Sequence, residues 1–583
     1  MKPPAVSDRY KWTALSNTTL GVFMAMLDSS IVIISLPAIF RGIHLNPLLP
    51  ANIGYLLWML MGYLVVTAVL VVTFGRIGDI FGRVRMYNLG FAVFTVASIA
   101  LSLTPFAGSS GAMWLILGRV VQGIGGALLM ANSTAILTDA FPVEERGLAM
   151  GISMIAATAG SFIGLVVGGL LADINWRLVF WVNVPFGAFG TVWAYLKLRE
   201  TGERVAARID WAGNVSFGAG LVMVLIGITY GIQPYGGHTM GWTSPLVLFM
   251  LLGGIALLGV FAWVERRVDD PMFDLNLFRI RAFAAGNLAG LLAAIGRGGL
   301  QFMLIIWLQG IWLPLHGYSF ERTPLWAGIY MLPITGGFLV AGPISGWLSD
   351  RYGARPFATG GMVLSAVTFG LLMWLPANFS FPTFGLLIFL NGVGSGLFAA
   401  PNTTAIMNSV PANQRGAASG MRATFMNSGM VLSIGVFFSL MIAGLASTLP
   451  HTLGGSLVAQ GVPAGDASRI AHLPPVGSLF AAFLGYNPIR TLLGPHVLGS
   501  LSSSHAAYLT GKTYFPQLIS KPFMHGLRIV FSAAVLMSLI AAAASWMRGR
   551  RYVHVDEVGP FGAPIEEEAA PADAPPPDEW VPA

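Results

Sequence analysis

The sequence has no cysteine and few charged residues. The first absence excludes several kinds of site, and the second argues against a soluble protein. Without cysteine, the 583-residue chain can form no disulfide, no thiolate metal site and no cysteine nucleophile. Charged residues make up 10% of the chain, whereas soluble domains carry about 25%. Hydrophobic residues make up 55%. This balance is typical of a protein that lies within a membrane.

The apolar residues fall into many runs of roughly 20 or more, each long enough to cross about 30 Å of hydrocarbon as a helix. The runs do not alternate with period two, which argues against barrel strands. We therefore predict an all-α polytopic membrane protein. Its fourteen predicted helices are 12–40, 51–75, 84–105, 111–138, 146–172, 176–197, 210–232, 243–264, 282–313, 323–348, 355–377, 381–409, 414–445 and 522–547.

The positions of the basic residues predict the orientation of the chain. If the N-terminus is cytoplasmic, 21 of the 32 Lys and Arg residues fall on the cytoplasmic side, as the positive-inside rule requires. We predict that both termini are cytoplasmic and that the protein lies in the plasma (inner) membrane. The basic residues form short clusters between apolar runs, so the net charge of +7 indicates topology and not a nucleic-acid partner.

Two regions depart from the regular succession of helices. Residues 446–521 form a predicted extracytoplasmic loop rich in Gly, Pro and Ser, with an apolar patch, SLFAAFLGYNPIRTLLGP. A packed lid and a disordered connector are both compatible with this loop. The C-terminal tail, residues 551–583, is acidic and proline-rich, which predicts a disordered segment.

An internal repeat divides the chain into two related halves. The segment NSTAILTDAFPVEERG at 132–147 resembles NTTAIMNSVPANQRG at 402–416, and GRIGDIFGR at 75–83 resembles GWLSDRYGA at 346–354. Both pairs are offset by about 270 residues. We predict an N-terminal six-helix bundle at 1–200, two linker helices at 201–281 and a C-terminal six-helix bundle at 282–550.

Several motifs, taken together and in order, resemble those of the fourteen-helix drug/proton antiporter branch of the major facilitator superfamily. They are LDSSIV at 27–32 with LP at 36–37, GRIGD at 75–79 with GR at 82–83, Arg119 with QG at 122–123, and WR at 176–177 followed by Phe180 and NVPFG at 183–187. The resemblance implies a major facilitator fold of two six-helix bundles and two inserted helices. It also implies that the bundles rock between inward-open and outward-open states while proton entry drives export.

One acidic residue lies in the middle of the first predicted helix, and we predict that it couples proton movement to transport. Asp28 is the only charge between residues 20 and 40. A carboxylate near the bilayer centre costs at least ~2.5 kcal/mol, so it usually faces a cavity and has a function. A helix-locking ion pair is the structural alternative.

Four further polar residues are the predicted companions of Asp28 in a substrate cavity. Arg119 and Gln122 lie three apart on one face of the fourth helix. The repeat offset maps Asp28 onto Arg297, and Gln301 follows one turn later. An arginine at such a site would set the properties of the acid or hold an anionic head group. Arg422 and Arg528, near helix ends, are expected to extend to the membrane interfaces.

Two further sets of residues are predicted to control movement between the bundles. By resemblance, the loop motif and its second copy latch the bundles in the outward-facing state; the residues are Gly75, Asp79, Gly82, Arg83, Asp139, Gly346, Asp350, Arg351 and Gly353. A simple surface ion pair is the alternative. A stripe of glycines along the fifth helix, Gly160, Gly164, Gly168 and Gly169, allows close helix packing. The family's antiporter motif has Gly-Pro where this chain has Gly164 and Leu165.

These features predict a proton-coupled secondary transporter that exports hydrophobic or amphiphilic compounds by alternating access, as in multidrug efflux. The alternative is an exporter of a lipid or envelope precursor with an anionic or polar head group, and a non-transporting receptor or scaffold is a third. No catalytic residue, metal site or cofactor is predicted, because the chain has no Walker loop and its histidines lack metal-ligand spacing. The expected partners are the lipid bilayer and a small substrate, with the monomer as the functional unit.

Overall fold

The structure is a computed structural model that describes residues 8–549, apart from 47–48, 143–144, 202–208, 269–270, 272, 412–413, 472–473 and 486. Thirteen helices in these ranges are long and apolar enough to cross a membrane. The predicted tail at 551–583 lies outside the described residues, as does the side chain of Asp350. The all-α polytopic fold predicted from the apolar runs is confirmed.

The first six spans form one bundle, and their bounds agree with the predicted helices to within several residues. They are α1 (Asp8–Gly42), α2 (Pro50–Phe81), α3 (Arg83–Ser102), α4 (Gly108–Ala140), α5 (Arg146–Ile174), and α6 (Leu178–Trp181) followed by α7 (Asn183–Lys197). α1 packs along α5, α4 packs on α2 and α3, and α7 packs on α3.

The next two spans, α8 (Trp211–Gly231) and α9 (Pro245–Val264), pack against each other. α8 also contacts α2 and α16, so it lies against both bundles. Much of α9 is exposed, including Phe249, Leu252 and Ile255, as expected for a helix that faces lipid. These are the two inserted helices.

The second bundle begins with α10 (Arg281–Trp307), whose last turns are a π-helix over Leu308–Trp312 and α11 (Leu313–Leu315). It continues with α12 (Thr323–Tyr330), α13 (Leu332–Tyr352), α14 (Ala354–Leu372), α15 (Phe381–Asn408), α16 (Arg415–Ala459) and, after four short helices, α21 (Tyr514–Met547). α14 is not among the thirteen apolar spans. It packs between α15 and α21 and completes the fourteen.

The two bundles repeat the same close helix contacts. Gly90 of α3 packs against Gly125 of α4, and Gly361 of α14 packs against Gly394 of α15 in the same way. The turns that precede α3 and α14 also match, because Gly82 has φ 107° and Gly353 has φ 83°. Both turns therefore use the left-handed backbone that only glycine adopts without strain.

The predicted loop at 446–521 is a packed lid. α16 runs on to Ala459 and α21 begins at Tyr514, so the predicted helices 414–445 and 522–547 were too short. The prolines near those predicted ends lie inside the helices, where burial against neighbouring segments keeps the helices intact. Between them lie α17 (Ala464–Ala471), α18 (Pro475–Phe483), α19 (Ile489–Ser500) and α20 (Ser503–Thr510). Every residue of α18 is buried.

We call the end of the molecule that carries α17–α20 the cap face. The opposite end, which carries the turns at Gly82 and Gly353, is the basic face.

Candidate functional site

A network of hydrogen bonds surrounds Asp28 in the middle of the first bundle. Asp28 is 0% exposed, and Arg119, Gln122 and Asn183 all donate to its carboxylate. The Gln122 bond is 2.9 Å long and the Asn183 bond is 2.7 Å long. Because every one of these neighbours is a donor, the arrangement matches an ionised carboxylate.

The arginine of this network has further contacts that fix its position. Arg119 is 2% exposed, donates to Gln122 Oε1 at 2.6 Å, and its guanidinium carbon lies 4.5 Å from the centroid of the Tyr63 ring. Gln122 in turn donates to Ser98 Oγ at 2.9 Å. Helices α1, α2, α3, α4 and α7 thus contribute to one charge-neutral cluster.

The glycines of α5 bring its backbone against α1 just before Asp28. A Cβ atom on Gly160 would lie 2.5 Å from the Phe23 carbonyl oxygen, and one on Gly164 would lie 2.5 Å from that of Leu27. Any side chain at these positions would push the two helices apart. Gly160, Gly164 and Gly168 of the predicted stripe therefore form the contact surface between α5 and the helix that carries Asp28, whereas Gly169 faces the other bundle.

Two adjoining clefts open in the second bundle; the smaller is also lined by α5 of the first bundle, and the larger meets the first bundle at Met154. The smaller spans about 510 Å³, counting its solvent-open part, and is lined by α5, α10, α13 and α15. The other encloses about 740 Å³, counting its solvent-open part, and is lined mainly by α10, α14, α15 and α16. Arg297 and Phe338 line both clefts, and Gln301 lines the first.

The clefts extend toward the basic face and are closed toward the cap face. Arg422 and Thr403, which line the larger cleft, lie at the basic-face ends of α16 and α15. On the cap side, a Cβ on Gly169 would lie 2.3 Å from Leu325 Cα of the other bundle. Gln309 also donates across the interface to the Ile34 carbonyl oxygen at 3.2 Å.

The structure separates the residues that we predicted to share one cavity. Arg297 and Gln301 line a cleft, but Asp28, Arg119 and Gln122 line neither cleft in this conformation. In this conformation the three side chains hydrogen-bond to one another inside the bundle. Their place in a cavity wall stays a prediction.

The predicted loop motif forms an ion-pair cluster within the first bundle. Arg83 Nε donates to Asp79 at 2.8 Å, and Arg83 also pairs with Asp139. In the second copy, Arg351 is exposed and its guanidinium carbon lies 4.1 Å from the centroid of the Trp347 ring. No ion pair among the described side chains joins the two copies.

The remaining glycines of this motif fall into two groups. Gly78 and Gly82 pack tightly, against Asn132 and Glu200, whereas Gly75 and Gly353 have open space where a Cβ would lie. Gly346 has only ordinary contact, with Ala400.

Sequence reasoning missed two residues, Asn183 beside Asp28 and Arg422 in the larger cleft. Asn183 lies in the NVPFG motif, but nothing in that motif indicated a bond to Asp28. Arg422 was expected at the membrane interface, yet it lines the larger cleft. The sequence did contain a signal for Arg422, because no acidic residue lies near it in the chain. An arginine within a span that has no acidic partner usually faces a cavity and has a function.

The described part of the chain contains no group of His, Asp or Glu side chains that could hold a metal ion.

Comparison with known proteins identifies relatives along most of the chain. The profile of the family described as Major Facilitator Superfamily matches residues 18–296 and 205–434. The chain is 28% identical to the tetracenomycin C resistance and export protein of Streptomyces glaucescens, over 96% of this chain and 95% of the relative. It is 31% identical to the multidrug resistance protein Stp of Mycobacterium tuberculosis, over 76% of this chain and 78% of the relative.

A solved structure has the same fold. It is that of a bacterial homolog of the human lysosomal transporter Spinster, in an inward-facing and occupied conformation. The TM-score is 0.54 at 16% identity, over 93% of this chain and 97% of the other.

Proposed function

Because the chain belongs to the major facilitator superfamily, whose members are membrane transporters, we propose that it is a proton-coupled exporter of hydrophobic or amphiphilic compounds. The names of two relatives, a tetracenomycin C resistance and export protein and a multidrug resistance protein, support export of drug-like compounds. The proposal places the chain in the fourteen-helix drug/proton antiporter branch. It needs no cofactor other than the proton gradient.

The observation that carries the proposal is the buried carboxylate of Asp28 and the donors around it. A carboxylate that is ionised in one state and protonated in another can bind a proton on one side of the membrane and release it on the other. Each proton that crosses inward gains about 2.3 kcal/mol per 100 mV of membrane potential. This free energy can drive export only if the same protein binds the proton and the substrate in alternation.

Protonation of Asp28 would disturb the helix contacts that join the two bundles. A protonated carboxyl has one acceptor site fewer for Arg119, Gln122 and Asn183, so the network has to rearrange. The change would act on α1, which packs along the glycine stripe of α5. The cap-side end of α5 contacts the other bundle at Leu325. Protonation is thereby linked to the interface that must open.

The positive-inside rule supports placing the basic face, and with it both chain termini, in the cytoplasm. The structure would then be an inward-facing state, with its clefts open to the cytoplasm and its cap face closed. In the proposed cycle the cluster of Asp79, Arg83 and Asp139 engages the second bundle when the basic face closes. Residues 1–200 and 282–550 would move as the two rocking units, within a functional monomer.

The test is gradient-driven flux in proteoliposomes. Tetracenomycin C, which occurs in the name of a relative, serves as the probe. With an imposed pH gradient, we expect wild-type protein to accumulate the probe in the acidic compartment and Asp28→Asn to abolish the accumulation. Asp173→Asn, which removes an exposed carboxylate at the end of α5, is the matched control and should transport normally.

Two outcomes would contradict the proposal. Equal accumulation by wild type and Asp28→Asn would remove Asp28 as the coupling group. Failure of the folded wild-type protein to move any compound in a wider screen of lipophilic compounds would favour a receptor or scaffold.

A further inference from the structure

Two arginines project into the larger cleft without an acidic partner. Arg297 is exposed to both clefts, and its guanidinium carbon lies 4.3 Å from the centroid of the Phe338 ring. Arg422 lines the same cleft, and its Nε is buried without a hydrogen-bond partner among the described residues. Neither arginine belongs to any of the ion pairs in the described part of the chain.

The sequence itself excludes a neighbouring acid from the helices that form this cleft. Residues 281–320 and 351–465 contain no Asp or Glu. Within residues 281–465 the acids are Glu321, in the cap-face turn before α12, and Asp350, at the basic-face end of α13. The positive charges of Arg297 and Arg422 are therefore not neutralised by the walls of the cleft.

The other residues of the larger cleft are apolar or neutral. Met154, Phe369, Phe398 and Met426 provide apolar surface, and Asn391 provides an amide. Methionine and phenylalanine walls accept apolar groups of varied shape. The chemistry of the cleft is thus an apolar surface with fixed positive charges.

The two arginines are spaced along the path from the basic face. Gly298 of α10 packs on Ser433 of α16, which places Arg297 about ten residues farther from the basic face than Arg422. Ten residues correspond to roughly 15 Å of helix. A ligand that enters from the basic face meets Arg422 first and Arg297 deeper in the cleft.

We propose that this cleft binds hydrophobic compounds that carry an anionic group, with the anion held by Arg297 after contact with Arg422. The inference rests on the proposed export function and specifies its substrate class. Guanidinium groups remain charged at every working pH and bind carboxylates, sulfonates and phosphates through two parallel hydrogen bonds. Lipophilic cations are disfavoured, because the cleft holds two positive charges and no negative one.

The test compares three probes that share one apolar body. They are pyrenebutanoic acid, its methyl ester and a pyrenebutyl trimethylammonium salt. Binding to the purified full-length protein in uncharged detergent is measured by pyrene fluorescence. We expect the carboxylate to bind at least tenfold more tightly than the ester, and the ammonium salt to bind most weakly.

Variants assign the preference to the two arginines. In Arg297→Gln the carboxylate should bind within about threefold of the ester, while affinity for the ester stays at the wild-type value. Arg297→Lys should keep part of the preference, which shows that a loss in Arg297→Gln is not misfolding. Arg422→Gln should slow carboxylate association. Arg528→Gln, which removes an exposed arginine of α21 distant from the cleft residues, is the control and should change nothing.

A second arm distinguishes two sources of the anion. In nanodiscs, phosphatidylglycerol that competes with the carboxylate probe, where phosphatidylcholine does not, would identify a lipid head group as a natural ligand. Absence of competition would identify a soluble organic anion.

Equal binding of acid and ester to wild type, or an unchanged preference in Arg297→Gln, would overturn the proposal. Because equilibrium binding needs no proton gradient, either result would leave Asp28-dependent transport untouched.

Discussion

The two halves of the molecule use equivalent positions in opposite ways. At the repeat offset of about 270 residues, Gln122 and Ser98 correspond to Asn391 and Thr368. Both pairs are hydrogen-bonded, at 2.9 Å in the first bundle and 2.8 Å in the second. The polar contact between the third and fourth helices of each half has therefore been kept.

The charges at the equivalent positions differ. The offset maps Asp28 onto Arg297 and Arg119 onto Ile388. The first half thus has a neutralised ion pair that is sealed from water, and the second has a lone cation that is open to a cleft. The same two places in one fold therefore hold a buried ion pair in the first half and a cation that lines a cleft in the second.

The largest effect should come from breaking the sealed pair. Arg119→Leu leaves Asp28 buried without its cation, which typically costs about 3–5 kcal/mol of unfolding free energy. The equivalent cation of the other half, removed in Arg297→Leu, has no buried partner and should change the unfolding free energy by less than about 0.5 kcal/mol. Unfolding in mixed micelles titrated with SDS measures both. Similar losses for the two variants would show that the halves do not differ in this way.

The next effect should come from giving the second half the pairing of the first. Ile388 is 0% exposed and occupies the place of Arg119, so Ile388→Asp should pair with Arg297. We expect affinity for the pyrene carboxylate to fall about tenfold, which is roughly 1.4 kcal/mol. Ile388→Asn is the uncharged control and should leave the preference for the carboxylate in place. If Ile388→Asp folds and retains full affinity, then the lone cation of Arg297 is not what attracts the anion.

The sequence could predict the fold and the grouping of Asp28 with Arg119 and Gln122 because both depend on position along the chain. Apolar runs of fixed length define spans, and a repeat offset pairs the halves. The spacing of Arg119 and Gln122 places them on one helix face. The direction in which each face points could not be predicted, because a bundle interior and a lipid-facing surface have similar apolar composition. For that reason the separation of Asp28 from the cleft and the lining role of Arg422 emerged only from the structure.

The lid shows a second limit of sequence reasoning. Pro450 lies inside α16, although a proline usually marks a helix end. The helix continues because its extension packs against α17 and α18, and such long-range contacts leave no local pattern in the sequence. The same contacts show that the described part of residues 446–521 is packed and is not a disordered connector.

A smaller effect is expected at the base of the two inserted helices, which touches both halves. Glu265 is 3% exposed and accepts a hydrogen bond from the Phe273 N–H at 2.9 Å. Burial raises the pKa of Glu265 to about 7, and neighbouring Asp210 also raises it, while the Phe273 N–H and Arg76 act in the opposite direction. Because the pKa is raised on folding, the protonated form stabilises the fold below pH about 4.5. That stability is lost as the pH rises toward 7.

We therefore expect the melting temperature of wild type in detergent to fall between pH 5 and pH 8, and the slope to be shallower in Glu265→Gln. Asp173→Asn changes an exposed carboxylate and should leave the slope as it is. The base is linked to the first half by the hydrogen bond between Thr73 and Asn214 and to the second by the contact of the Phe273 ring with the Phe425 ring. An identical slope in Glu265→Gln would show that this carboxyl does not respond to pH in the folded protein.

The smallest change in stability should come from the cluster at the basic face, where the first half has paired charges and the second has the exposed Arg351. Asp79→Asn removes a partly exposed ion pair, so the unfolding free energy should change by less than about 1 kcal/mol. If the cluster holds the basic face closed in the outward-facing state, the same variant should shift the protein toward the inward-facing state. A small change in unfolding free energy together with a shift toward the inward-facing state would identify a latch. A surface ion pair would show the small change in unfolding free energy without the shift.

Because the chain has no cysteine, spin labels attach only where cysteines are introduced. Leu148→Cys and Tyr352→Cys place labels at exposed positions on opposite bundles near the basic face, and pulsed electron resonance measures their separation. Adding Asp79→Asn should deplete the short distances, whereas Arg85→Gln, at an exposed arginine of the same turn, should not. An unchanged distribution of label distances in Asp79→Asn would mean that these charges form a surface ion pair and do not hold the basic face closed. The contrast between the halves would then be confined to Asp28 and Arg297.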